Sequence, residues 1–328
     1  VRPAADPGTW GLFLLLSAIW GSSYLFIKIG LDEGLAPLTL VSVRTLLGTA
    51  LLAIVMRWRG GRLPRSASTW LAMAVVGLTN IVLPYVLITW GELSISSGMA
   101  GILTAMVPLF TVVLAAWTLA DEPVTRSKVA GLIVGFTGVV LLASPSFGEL
   151  ATEDGAMAIA GMLAVIGATL SYAVAAVFTR KRLSGQPVMI APDGTARSPS
   201  ALEIAFGQVF VGMLVITALA LVFERPDGGL LAVPPTGTAV FSLLWLGLAG
   251  TGVAFLLYFA IIGRWGATRA TLIAYVMPIV AIVLGFLVLG ERLQPIELVG
   301  AVLIIGGVVL VNTDVGRRLR VAEGAAGG

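Results

Sequence analysis

The stretch GLTNIVLPYVLITWGELSISSGMAGILTAMVP, residues 77–108, decides the fold, because it returns at residues 247–278 as GLAGTGVAFLLYFAIIGRWGATRATLIAYVMP. Few letters are identical, but small residues, aromatics and the closing prolines, Pro108 and Pro278, coincide without a gap. One residue is then lost. DEPVTRSKVAGLIVGFTGVVLL from Asp121 aligns with GERLQPIELVGAVLIIGGVVLV from Gly290, setting Glu122 over Glu291 and Gly131 over Gly300. Upstream, RTLLGTALLA from Arg44 matches QVFVGMLVIT from Gln208, and Trp20 and Lys28 fall near Tyr172 and Arg180. The chain is a duplication.

Composition sets the class. Hydrophobic residues make up 58% of the 328, charged residues 11%, and mean hydropathy is +1.02. A soluble domain carries about 25% charged residues, so this chain reads as an all-α integral membrane protein. Its 40 glycines suit helices that approach closely in lipid. With no cysteine and no histidine, disulfides, thiolate or imidazole metal sites and catalytic triads are excluded. No metal, cofactor or nucleic-acid partner is expected, and no Asp/Glu cluster suggests an enzyme. The net charge of +3 fits basic residues in cytoplasmic loops better than an acidic partner.

A bilayer span needs roughly 20 apolar residues. Ten segments qualify: 10–29, 37–56, 69–91, 95–119, 128–144, 156–179, 201–223, 238–263, 268–289 and 296–313. The first reads as a retained span rather than a cleaved signal, with Arg2 alone ahead of it, no small-residue cleavage site, and another span directly behind. If the segments alternate, sixteen of the twenty Lys and Arg fall on the side of the two tails. Lys28, Arg225 and Arg292 lie opposite, and Arg44 lies inside a span. One span more or fewer would scramble that bias, so ten spans with both termini cytoplasmic are expected.

Each copy of the duplication holds five spans. Five is odd, so the second copy enters the membrane from the other side, giving two inverted five-helix repeats. The expected division is a tail at 1–9, repeats at 10–147 and 156–313, an outer linker at 148–155 within SPSFGELATEDG, and a tail at 314–328. An inverted repeat suits a carrier with two related conformations, each open to one face. SGQPVMIAPDGTARSPS, residues 184–200, is the only long loop.

WGSSYLFIK in the first span, an Arg in the second, Pro-Leu-Phe-Thr followed by Glu after the fourth, and a small-residue fifth resemble the EamA-type members of the drug/metabolite transporter superfamily. That resemblance covers residues 10–313. It implies secondary export or exchange of small metabolites, often amino acids, across the cytoplasmic membrane. It also implies a central cavity lined by spans 1, 3, 4, 6, 8 and 9, with 2 and 7 bracing it and 5 and 10 peripheral. Small multidrug members of the superfamily exchange protons through a first-span glutamate; GLFLLLSAIWGSSYLFIKIG, residues 11–30, has none. Glu92, Glu203 and Glu297 lie near span ends, so proton coupling through a deep carboxylate is not expected.

The candidate binding residues follow from helical spacing. Ser97, Gly101, Thr104, Pro108 and Thr111 form one small, faintly polar stripe, and Ala267, Thr271, Ala274, Pro278 and Ala281 repeat it. Each proline frees a carbonyl one turn upstream, which lipid cannot satisfy. Both stripes are therefore expected at the centre, their prolines acting either as bending points or as static kinks. Asn80 sits mid-membrane one turn before Pro84, beside Tyr85, and either binds substrate or ties helices. Thr251, Phe255 and Tyr258 oppose it, and Trp20, Ser23, Tyr24, Tyr172 and Tyr275 add rings and hydroxyls. Apolar walls with few polar anchors suit a compact amphipathic solute.

Arg44 either meets an anionic group of the substrate or ties helices, its counterpart Gln208 being neutral. Glu122 and Glu291 read as boundary or capping charges. The fifth span carries Gly131, Gly135 and Gly138 on one face and the tenth carries Gly300 and Gly307, small-residue faces for packing within a monomer or in a homodimer. Lipids and a small-molecule substrate are the expected partners. A sugar-phosphate or nucleotide-sugar carrier, which would want several central cations, and a channel are the alternatives.

Overall fold

The computed structural model describes residues 7–118, 125–190, 194–224, 233–234, 236–265 and 270–325, with side chains to 312. Glu122, Ala267 and Arg225 lie outside the described residues. The helices are α1 (Pro7–Asp32), α2 (Pro37–Trp58), α3 (Ala67–Gly91), α4 (Ser97–Thr118), α5 (Arg126–Gly148), α6 (Glu153–Arg182), α7 (Ala201–Phe223), α8 (Gly237–Trp265), α9 (Ile273–Leu289) and α10 (Pro295–Ala325). Nine of them, among the described residues, are long and apolar enough to cross a bilayer, and α9, at 17 residues, is shorter. The protein is a multi-pass membrane protein. The helix of α10 continues to Ala325, through most of the stretch expected as a tail.

Local signals set most helix starts. Ser66, Ser96, Thr125, Thr152, Ser200 and Thr236 each accept a hydrogen bond from the backbone N–H three residues on. Proline opens α2 and α10, where its missing N–H costs nothing. Gly290, at φ 68°, ends α9 in the left-handed region that a β-carbon disfavours. The long loop between α6 and α7 holds a small antiparallel ribbon, β1 (Met189–Ile190) and β2 (Ala196–Arg197), with Met189 opposite Arg197. The composition did not announce these strands.

Two departures from regular helix matter for the centre. Leu78–Val82 in α3 and Trp245–Val253 in α8 are π-helical. The duplication sets 77–108 over 247–278, so they occupy equivalent places in the two copies. Likewise α4 tightens to i→i−3 bonds at Ala105 and Met106, and the start of α9 does so at Ala274 and Tyr275. Carbonyls in the π segments are taken by neighbouring helices: Ser171 Oγ donates to Thr79 O (2.7 Å), and Trp20 Nε1 to Gly250 O (3.3 Å). In lipid such groups must find protein partners.

The copies are joined by close helix contacts. At α5 and α10 the glycines meet: a β-carbon on Gly138 would lie 2.6 Å from Gly300 O, and one on Gly131 2.6 Å from Gly307 O. The expected small-residue faces thus pack against each other within one chain. Glu224 also crosses between copies, accepting from Leu38 N and Thr39 N at 2.8 and 2.7 Å at the positive end of α2. Glu224→Ala is expected to lower stability by about 0.5–2 kcal/mol, read as the unfolding midpoint in detergent.

Candidate functional site

Between the copies lies a cavity of about 280 Å³, at the small end of ligand pockets, which run roughly 300–1,000 Å³. Helices α1, α3, α4, α6, α8 and α9 line it and α2 adds Arg44; α5, α7 and α10 contribute none of the described lining residues. Of the residues expected to bind, Trp20, Ser23, Tyr24, Asn80, Tyr85, Thr104, Pro108, Tyr172, Phe255, Tyr258 and Pro278 are all there, as is Arg44.

Three expected residues are not on the wall. Pro84 is buried in α3 but off the cavity. An α-helix would carry the face from Asn80 to residue 84, whereas the π turn advances it by one, to Tyr85. Thr251, also in a π segment, donates to Leu246 O, five residues back, at 3.0 Å and accepts from Arg44 Nε at 3.1 Å. Tyr275 sits off the 271, 274, 278 face; its hydroxyl donates to Val308 O at 3.0 Å and accepts from Asn312 at 2.6 Å, joining α9 to α10. No sequence signal marked the π turns. Val107, Ala270 and Met277, unremarked in the sequence, are among the further residues of the apolar wall.

Arg44 is the one cationic side chain among the lining residues. It is 5% exposed, lies over the Tyr85 ring at 3.9 Å from the centroid, and bonds Thr251. No ion pair neutralises it among the described residues. A cation buried this way is held by a π face and one hydroxyl, which leaves charge for a further anionic group. Asn80 Nδ2 donates to Gln208 Oε1 at 2.8 Å, linking α3 to α7 while lining the cavity. On the aromatic side Trp20 meets Tyr258 at a tilt, 5.3 Å between ring centroids, and Phe255 edge to face at 6.5 Å.

The cavity is asymmetric. Toward one end α4 and α9 touch: a β-carbon on Gly101 would fall 2.5 Å from Ala281 Cβ. There Glu291 accepts from Ser97 N (2.8 Å), Ser97 Oγ (2.9 Å) and Gly98 N (3.1 Å), so it caps α4. Toward the other end, Val107 and Pro108 of α4 and Ala270, Thr271 and Ala274 at the start of α9 are wall residues. Lys28 reaches the closed end too, its Nζ donating to Glu92 O at 2.9 Å. Glu92 lies at a span end, as its place in the sequence puts it, yet it is 0% exposed.

The sequence model of an EamA-like transporter family matches residues 9–144 and 159–313. A protein of Streptantibioticus cattleyicolor named "Probable terminal-alkyne amino-acid exporter" is 29% identical over 311 residues, 94% of this chain and 95% of that one. The Bacillus subtilis "Uncharacterized transporter YvbV" is 28% identical over 92% of this chain and 90% of its own. The Escherichia coli K12 "Uncharacterized inner membrane transporter YedA" is 27% identical over the same shares. A crystal structure 19% identical in sequence superposes with a TM-score of 0.62 over 96% of this chain and 99% of that one, a likeness of fold.

Proposed function

The chain belongs to the EamA-like transporter family, and on that footing we propose that it exports or exchanges compact amphipathic metabolites, amino acids foremost, across the cytoplasmic membrane. Ten spans form two inverted repeats, 10–147 and 156–313, with both termini cytoplasmic. The repeats rock about a shared site, so that it opens to one face at a time. The observation that carries this reading is one wall built by both copies, in which Arg44 stands among aromatic rings without an acidic partner among the described residues. An α-carboxylate supplies the missing charge, and an apolar side chain fits the Trp20, Phe255 and Tyr258 side. The exporter named for amino acids in S. cattleyicolor supports the same class.

A sugar-phosphate cargo is disfavoured, because a single cation lines the described cavity and a phosphate dianion calls for more. The protein works as a monomer, its glycine faces being used between its own helices. The deciding experiment is flux into proteoliposomes from a panel of amino acids, their decarboxylated analogues and sugar phosphates. Saturable exchange confined to carboxylate-bearing solutes is expected; single-channel currents in place of saturation would overturn the carrier reading.

The paired prolines enter here. Pro108 opens the second segment of α4 after the tightened turn, while Pro278 lies inside α9. Pro108→Ala and Pro278→Ala restore a backbone donor and favour continuous helix. Each is expected to slow turnover about tenfold, a barrier change near 1.4 kcal/mol, with half-saturation little altered. Unchanged turnover in both makes the prolines static kinks.

A further inference from the structure

Where α4 meets α9, the two carboxyl groups at the closed end of the cavity are treated oppositely. Glu291 receives three donors from Ser97 and Gly98 at the start of α4, where helix polarity favours negative charge. Glu92, the residue after α3, receives none: it is wholly buried, and among the described residues neither carboxyl oxygen has a hydrogen-bond partner. Lys28, the nearest cation on α1, bonds the backbone carbonyl of Glu92 instead of its side chain, and also lies 3.9 Å from Asp32. An ionised carboxylate without donors in such a place costs far more than a protonated one. We propose that Glu92 is a proton-binding site that controls the closed end: with its proton in place α4 and α9 stay latched through Glu291, and as the end opens to water the proton leaves. This rests on the two-state carrier reading above.

The groups that face Glu92 fix the sign. Burial pushes its carboxyl well above the usual carboxylate range; Lys28 of α1 opposes this, Glu291 beyond α9 reinforces it, and Arg44 of α2 and Asp32 of α1 follow in the same opposed senses. Tyr24 of α1 also faces it. Helix α6, which meets α3 at Gly161 and Gly91, carries no ionisable residue from 155 to 171. Opening to water releases the burial, so the open state holds the proton less tightly. Closure is therefore fully favoured at low pH and is lost as pH rises through the range of the buried carboxyl. Between the two ranges the closed-to-open ratio falls by up to about tenfold per pH unit.

The absence of cysteine makes the test direct. Leu93 and Gln294 are exposed residues flanking the closed end. Converted to cysteine in the full chain and spin-labelled, they report its width by electron-spin distance measurement. In the otherwise unaltered chain, a short distance at pH 5 should give way to a growing long component towards pH 9. Glu92→Gln, a neutral stand-in for the protonated side chain, should hold the short distance across that range. Glu291→Gln should shift the population towards the long distance at every pH while keeping the pH dependence. An identical pH profile in the Glu92→Gln background, or a distance independent of pH in the parent, overturns the proton site. If the parent distance ignores pH but still responds to added amino acid, the carrier reading survives without it; if it responds to neither, both fall.

Discussion

Arg44→Met is expected to weaken half-saturation for a transported amino acid by about 10- to 150-fold, the equivalent of a hydrogen-bonded charge contact at about 1.5–3 kcal/mol. The same change should leave the corresponding amide or decarboxylated amine nearly untouched. That contrast is what separates a substrate contact from a structural tie. Arg44 also stacks on Tyr85 and bonds Thr251, so a general loosening of α2 against α3 and α8 would depress every substrate alike. Arg44→Lys keeps the charge but not the planar fork, and should fall between the parent and Met. Concentration-dependent flux in proteoliposomes reads all of these; parallel losses for the acid and its amide would assign Arg44 to helix packing alone.

Gly307→Val should be among the most damaging single changes outside the cavity. A β-carbon at 307 would stand 2.5 Å from Gly131 O, 2.6 Å from Gly135 N and 2.7 Å from Gly135 Cα. All three are backbone atoms, which cannot swing aside as a side-chain tip can. α5 and α10 must then separate, at a cost at or above the upper end of the usual overpacking range of about 1–3 kcal/mol, and lose dispersion contacts along their shared length. A β-carbon on the neighbouring Gly306 would meet nothing within 4 Å among the described residues. Gly306→Ala should therefore be neutral or gain up to about 1 kcal/mol of helix propensity. Unfolding midpoints and monodisperse yield in detergent check both; equal behaviour of the two variants would mean that this glycine seam carries little of the stability.

Much of this protein is legible before any coordinates. A stretch as apolar as IVLPYVLITW, residues 81–90, has few stable solutions in a bilayer other than a helix, because its backbone must satisfy itself. Ser96, Thr125, Thr152 and Ser200 mark helix starts by a mechanism local to three residues. The resemblance to EamA-type transporters, carried by WGSSYLFIK in the first span, Arg44 in the second and the Pro-Leu-Phe-Thr run of the fourth, implies which helices line the centre. For that reason most of the expected binding residues do share one wall. The residues off the wall have two causes. The π turns shift the helix face at Pro84 and Thr251, and the Tyr275 hydroxyl is taken by Val308 and Asn312 of α10.

The sequence by itself determined membrane residence and the duplication, because hydrophobicity, spacing and local capping act within a few residues of chain. Only the tertiary structure decided that Asn80 answers to Gln208, that Tyr275 turns to Asn312, and that Glu291 closes on Ser97 while Glu92 is buried without a donor among the described residues. Those facts depend on groups more than thirty residues apart arriving within about 3 Å of one another. No local preference encodes such a distance; it is set by how whole helices pack.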